Sequence, residues 1–198
     1  MRGRTIATLG LPAVLIGLIG LCTAARAGDP EQLVIQYLQD RDAQGYTIIP
    51  VTDRSVTDTF PDIAFFGVFF RQYPVAVRPP EGLASSNVFY VQDGEVAYLT
   101  QPSDLMDFFF NELGPVQTKK AIRDAGRSWL RLSEDFSQDL FFDFAKPVAS
   151  VHHQVVTGMV AVKSGGSGQI TATLTFDDAG QLVDIEESRD VIRGIRPR

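Results

Sequence analysis

The sequence predicts an α+β fold, a mainly antiparallel, twisted sheet with about three helices on one of its faces. Three stretches carry that expectation. Residues 170–186 read ITATLTF, DDAG and QLVDIE. Ile170, Ala172, Leu174 and Phe176 alternate with Thr171, Thr173 and Thr175, the period of a strand with one wet and one buried face. A turn over 177–180 sets Leu174 opposite Val183 and Ala172 opposite Ile185. Leu174 and Val183 are therefore expected to be buried neighbours, while Thr173 and Thr175 face water or a polar layer. Residues 87–99 (NVFYVQDGEVAYL) hold Asp93-Gly94 between two runs rich in aromatic and β-branched residues. Such a pair tolerates the positive φ angles of a type I′ turn, and it places Val91 opposite Val96 and Phe89 opposite Tyr98. Between the two hairpins, Ile122, Ala125, Trp129, Leu132 and Phe136 recur at helical spacing and form an apolar stripe.

The beginning of the chain has a different composition. Arg2 and Arg4 precede an apolar run over 6–22, and Ala25-Arg26-Ala27 follows, the three parts of a secretory signal with an A-x-A cleavage site. We expect residues 1–27 to be removed, Gly28 to become N-terminal, and 28–198 to form one α+β domain in the periplasm or outside the cell. An uncleaved anchor is the alternative, because the run approaches the length that spans a bilayer. Pro12 and the small residues before Gly28 favour cleavage, after which no stable membrane span is expected.

Loss of Arg2, Arg4 and Arg26 takes the 18 Lys and Arg of the chain to 15, against 24 Asp and Glu, a formal charge of −9. That balance argues against nucleic acid or an anionic membrane as the main partner. Cys22 lies in the leader, so the exported chain is cysteine-free; disulfides, thiol nucleophiles and cysteine-ligated metals are excluded.

Taken in order, Asp29 is an N-cap with Pro30 at the first helical position, and Leu33, Val34, Tyr37 and Leu38 follow at helical spacing. Gly45 closes that helix, and residues 46–51 (YTIIPV) read as a short strand that Pro50 confines to an edge or an end. Residues 53–62 read as a polar loop. Asp53, Asp58 and Asp62 lack the spacing of a calcium loop and read as solvated surface. Residues 63–77 (IAFFGVFFRQYPVAV) are the most aromatic stretch. As a strand, this stretch points Phe65 and Phe69 one way and Phe66, Val68 and Phe70 the other, so both of its faces need a cover. Ser103 is expected to cap a short helix that Gly114-Pro115 stops. The longer helix over the Trp129 stripe contains Gly126. A continuous helix is expected there, since a glycine costs roughly 1 kcal/mol in a helix interior without forbidding it; a break, with 129–132 as a strand, is the alternative. Residues 141–144, 148–151 and 155–163 look extended, and Ser164 to Gly168 supply a flexible connection to the opening hairpin.

The two similar hairpins, each following helical segments, admit a weak internal repeat. Their pattern is similar to the hairpins of cystatin-like, nuclear-transport-factor-like and peptidase-propeptide-like modules. Residues 129–144 (WLRLSEDFSQDLFFDF), with Gly194-Ile195-Arg196-Pro197 near the end, resemble a group of exported bacterial proteins with no assigned activity. The chain departs from that group by Leu140, where a turn glycine is expected. The resemblance implies export and carries no catalytic residue over.

The search for chemistry yields little. His152 and His153 are the two histidines, and neighbours on a strand point to opposite faces, so they are not expected to chelate one metal. Gly165-Gly166-Ser167-Gly168 misses the spacing of a nucleophile elbow and lacks the Lys-Ser/Thr of a phosphate loop. Glu134, Asp135, Asp139 and Asp143 surround a helix end and read as a solvated face, Trp129 reads as core, and Arg189, Arg193, Arg196 and Arg198 read as a solubilising end. No catalytic residue, metal or cofactor is expected. The favoured function is a non-enzymatic exported binding or interaction protein. Phe65, Phe66, Phe69 and Phe70 are its candidate contact residues, for an apolar ligand, a protein partner or a second copy of the chain. The alternative is an exported cone-shaped α+β hydrolase or isomerase using His152 or His153 with a carboxylate.

Overall fold

The computed structural model describes residues 28–70, 77–137 and 142–194. The expectations for the leader, for 71–76, for Asp139 and Leu140, and for Arg196 and Arg198 lie outside these residues. The described residues form four helices and two antiparallel sheets, an α+β fold without a barrel. The first sheet is a meander of β1 (Tyr46–Pro50), β2 (Ile63–Phe70), β3 (Ser86–Gln92) and β4 (Glu95–Leu99), in that spatial order. Pro50 sits on the edge strand, where a missing N–H costs no ladder bond. At the β3–β4 turn Asp93 and Gly94 have φ of 52° and 82°, and Val91 pairs with Val96 and Phe89 with Tyr98, as the turn chemistry requires.

Both faces of β2 are covered by the chain itself. Helix α1 (Pro30–Gln39) starts on the Asp29 cap, whose carboxylate accepts the Glu31 N–H. Its Val34 and Leu38 pack on Phe66, Val68, Phe70, Phe89 and Val91. The opposite face meets the remaining helices. Residues 53–62 are not a loop throughout: α2 (Arg54–Thr59) forms there and buries Val56, and Phe60, just after it, packs its ring on Phe65 with centroids 5.6 Å apart. Helix α3 (Pro102–Glu112) is preceded by Gln101 rather than Ser103 as N-cap. Asp104 reaches back to accept the Thr100 N–H at 2.8 Å, which ties the incoming chain to the first turn.

Helix α4 (Lys119–Asp135) runs unbroken through Gly126 and lies between the two sheets. The second sheet has the order β5 (Asp143–Phe144), β7 (Val155–Ser164), β8 (Gly166–Phe176), β9 (Leu182–Arg193), with β6 (Val148–His152) paired to the other half of β7. Gly126 and Gly158 allow the close approach. A Cβ at Gly126 would stand 2.7 Å from a Val156 methyl, and one at Gly158 would stand 2.8 Å from a Leu130 methyl. The layers are thus α1, first sheet, α2 to α4, second sheet, and the main core fills the space around α4.

One register differs from expectation. Leu174 pairs with Ile185 and Ala172 with Glu187, while Val183 is 52% exposed. The turn takes one more residue, because the Asp177 carboxylate accepts the N–H groups of both Ala179 and Gln181, and a bulge at Val183 takes another. Two extra residues keep the inward parity of Ile185 and move its partner. Thr171, Thr173 and Thr175 point away from the core, on the open face of the second sheet, as the alternation demands.

Candidate functional site

The central helix has a second stripe. Lys120, Asp124, Arg127, Arg131 and Glu134 recur at spacings of three and four and share one face of α4, turned toward α2. Between this stripe, α2 and the start of β6 lies a cleft of about 610 Å³. Asp53, Ser55 and Asp58 form one wall; Lys146 and Val148 form the other.

Most of the charges in the cleft are matched. Lys120 Nζ lies 2.8 Å from Asp58 and 2.7 Å from Asp124, and Arg54 adds a contact of 3.6 Å to Asp58. The Lys120 hydrogen bond holds the Asp58 carboxyl below its usual range. Arg131 Nε reaches Asp53 at 3.0 Å, and its Nη1 reaches Asp135 at 2.8 Å and Glu134 at 3.1 Å. Three carboxyl groups thus converge on one guanidinium. Burial would lower the basicity of Arg131, but Asp135, Glu134 and Asp53 together outweigh it and raise it.

Glu134 and Asp135 are not a solvated face. They are 6% and 1% exposed, because α4 has a sheet on either side and its last turn is enclosed. Burial, opposed by Arg131, pushes the Glu134 carboxyl up to about 8, with Asp135, Asp53 and Asp143 adding to the rise. Burial likewise raises Asp135 against the pull of Arg131. Its free oxygen lies beside Gly67 in β2, where an added Cβ would stand 3.2 Å from it. Among the described residues, the buried side-chain polar atoms without a hydrogen-bond partner are Arg127 Nε, Glu134 Oε2 and Asp135 Oδ2. All three belong to this one helix, and each forgoes a bond that buried groups ordinarily make.

A neighbouring network on the same helix is closed. Glu187 of β9 accepts from Trp129 Nε1 at 2.8 Å, from Ser133 Oγ, and from Arg189 Nη2 at 2.8 Å. Arg189 also bonds Ser133 and Ser137, so it fastens β9 to α4 and is not part of a solvated basic end. Trp129 is fully buried, as its place on the apolar stripe requires.

The residues singled out from the sequence lie elsewhere. Phe65, Phe66, Phe69 and Phe70 are 3%, 5%, 1% and 1% exposed, under α1 on one side and the α2 to α4 layer on the other. His152 ends β6 and His153 occupies the following turn with φ 54°, so the two rings do not diverge. Both are exposed, in edge contact with centroids 4.4 Å apart, and neither has a carboxylate partner among the described residues. Asp143 is exposed and pairs with Lys163 at 3.3 Å. No group of three or more His, Cys, Asp or Glu among the described residues is placed to hold a metal.

No family model, curated protein or solved structure matches this chain. The likeness of its hairpins to cystatin-like modules therefore rests on pattern alone, and the site must be read from its own geometry. The signal for it was present in the sequence as Lys120-x3-Asp124-x2-Arg127-x3-Arg131-x2-Glu134, a charged stripe at helical spacing. Such a stripe normally marks the wet side of a helix.

Proposed function

We propose that this is an exported binding protein, without catalytic turnover, that receives its ligand in the cleft between α2, α4 and β6. The observation that carries the reading is Arg127, which stands on the wall of a cleft of ligand size with no carboxylate paired to it among the described residues. A guanidinium on a cleft wall without a carboxylate partner is free to pair with an anionic group on a ligand. The hydrolase or isomerase alternative needs a histidine beside a carboxylate in a cavity; His152 and His153, exposed at the end of β6 and in the turn after it, lend it no support. Export rests on the leader, and contact with an apolar partner through the four phenylalanines gains no support from their burial.

The test is to recover the protein from its native envelope, identify the retained small molecules by mass spectrometry, and titrate each into wild type and Ser55→Trp, which fills the cleft from α2. Saturable binding of an unchanged molecule, weakened at least about tenfold in the variant, is the expected result. Equal binding by the variant overturns the location. Steady conversion of the molecule to a product overturns the non-enzymatic reading.

A further inference from the structure

Resting on the cleft as the binding site, we infer that the group it recognises is a phosphoryl dianion on a small soluble molecule, held by Arg127 and Lys146. Pairing within the cleft leaves these two cations over. Asp58 and Asp124 are taken by Lys120 and Arg54, and Asp53 is taken by Arg131, while no carboxylate among the described residues pairs with Arg127 or Lys146. A guanidinium offers its two Nη–H groups in a planar fork that fits two oxygens of one tetrahedral oxyanion, and an ammonium adds a point charge to a third. Together they address three oxygens, one more than a carboxylate has.

Ser55 stands on the opposite wall with a hydroxyl donor to offer. The cleft, at about 610 Å³, has room for far more than a phosphate group, so the phosphoryl is the head of a larger molecule. The acidic surplus of the whole chain, 24 Asp and Glu against 18 Lys and Arg, repels an anionic bilayer, which selects a soluble phosphate over a lipid head group. Arg131 is held by Asp53, Glu134 and Asp135 and does not compete for the ligand.

Calorimetric titration with inorganic phosphate, at ionic strength matched with chloride, tests the inference on the purified protein. Wild type is expected to bind phosphate saturably and acetate not at all. Arg127→Met and Lys146→Met should each weaken binding at least about tenfold, whereas Lys119→Met, an equal loss of charge on an exposed position of α4 outside the cleft, should leave it unchanged. Lys146 is exposed and its variant keeps the fold, so a failure of Arg127→Met to fold leaves the test intact. No phosphate binding by wild type, or equal binding by both cleft variants, overturns the inference. So does tighter binding to phosphatidate vesicles than to soluble phosphate. If an envelope-derived molecule without phosphate binds wild type and is lost in Ser55→Trp, the cleft stands and the phosphoryl assignment falls.

Discussion

At the scale of single residues, the cost of burying Glu134 is the clearest consequence of this arrangement. Its carboxyl faces Arg131 and Asp135 on its own helix, Asp53 before α2 and Asp143 on β5, so one positive charge answers several negative ones. In the folded chain the carboxyl is pushed from 4.5 up to about 8, so between those values the folded state holds a proton that the unfolded state has lost. Stability from this group is therefore fully present below about pH 4.5, falls as pH rises, and is lost above about pH 8, by at most about 1.4 kcal/mol for each unit of the window. Glu134→Gln, which keeps the shape and removes the titration, should flatten the dependence and raise stability at pH 8 by a few kcal/mol, read from urea midpoints at pH 5 and pH 8. An unchanged slope in the variant would assign the titration elsewhere. Asp135 is raised by the same burial, so Asp135→Asn should act in the same direction. The local sequence shows Arg131 and Asp135 beside Glu134 but neither its burial nor Asp53, which lies 78 residues from the Arg131 it holds.

At the scale of elements, periodicity placed helices and strands well and judged their second faces less well. The Ile122 to Phe136 stripe correctly gives the core side of α4. Glu134 and Asp135 read as a solvated face yet are buried, since a helix reports which residues share a face and not how many layers cover it. Gly126 is where the covering layer is felt. Replacing it with Ala gains up to about 1 kcal/mol of helix propensity, but the new methyl meets Val156 at 2.7 and 3.0 Å in a packed layer. Overpacking of this kind costs about 1 to 3 kcal/mol, so Gly126→Ala should lower the denaturation midpoint, and Val156→Ala in the same chain should recover part of it. A stabilised single variant would mean that α4 and β7 are not in contact there. The β8–β9 register likewise followed from burial only in part. Alternation fixes that Ile185 faces inward, but the Asp177 hydrogen bonds and the bulge decide its partner. Ile185→Asp should accordingly cost several kcal/mol as an unpaired buried charge, while Val183→Asp, at an exposed bulge, should stay within about 0.5 kcal/mol of wild type. Similar losses from the two would restore the register first expected.

At the scale of the whole molecule, the number of layers is what the sequence left undetermined. Two apolar faces on β2 showed that the strand is central, and the chain meets that demand with its own helices, one of which arose from residues that read as loop. The cleft exists because of the same layering: a helix held between two sheets can touch α2 with its charged face only along part of its length, and the cleft opens beside that contact. The two cores are separate clusters on either side of the first sheet, and the smaller one depends on α1 for its cover. Leu38 is fully buried in that smaller core, so Leu38→Asp should detach α1 while leaving the layers around α4 in place. Phe66, Phe70 and Phe89 would then lose the helix that covers them, a patch of the kind that drives self-association. The expected outcome is a rise in the fluorescence of an apolar dye and a concentration-dependent increase in sedimentation rate, with amide protection retained along α4. Loss of protection along α4 as well would show that the two cores fold as one unit. A monomer that binds no dye would show that α1 is not what keeps this face of the sheet from water.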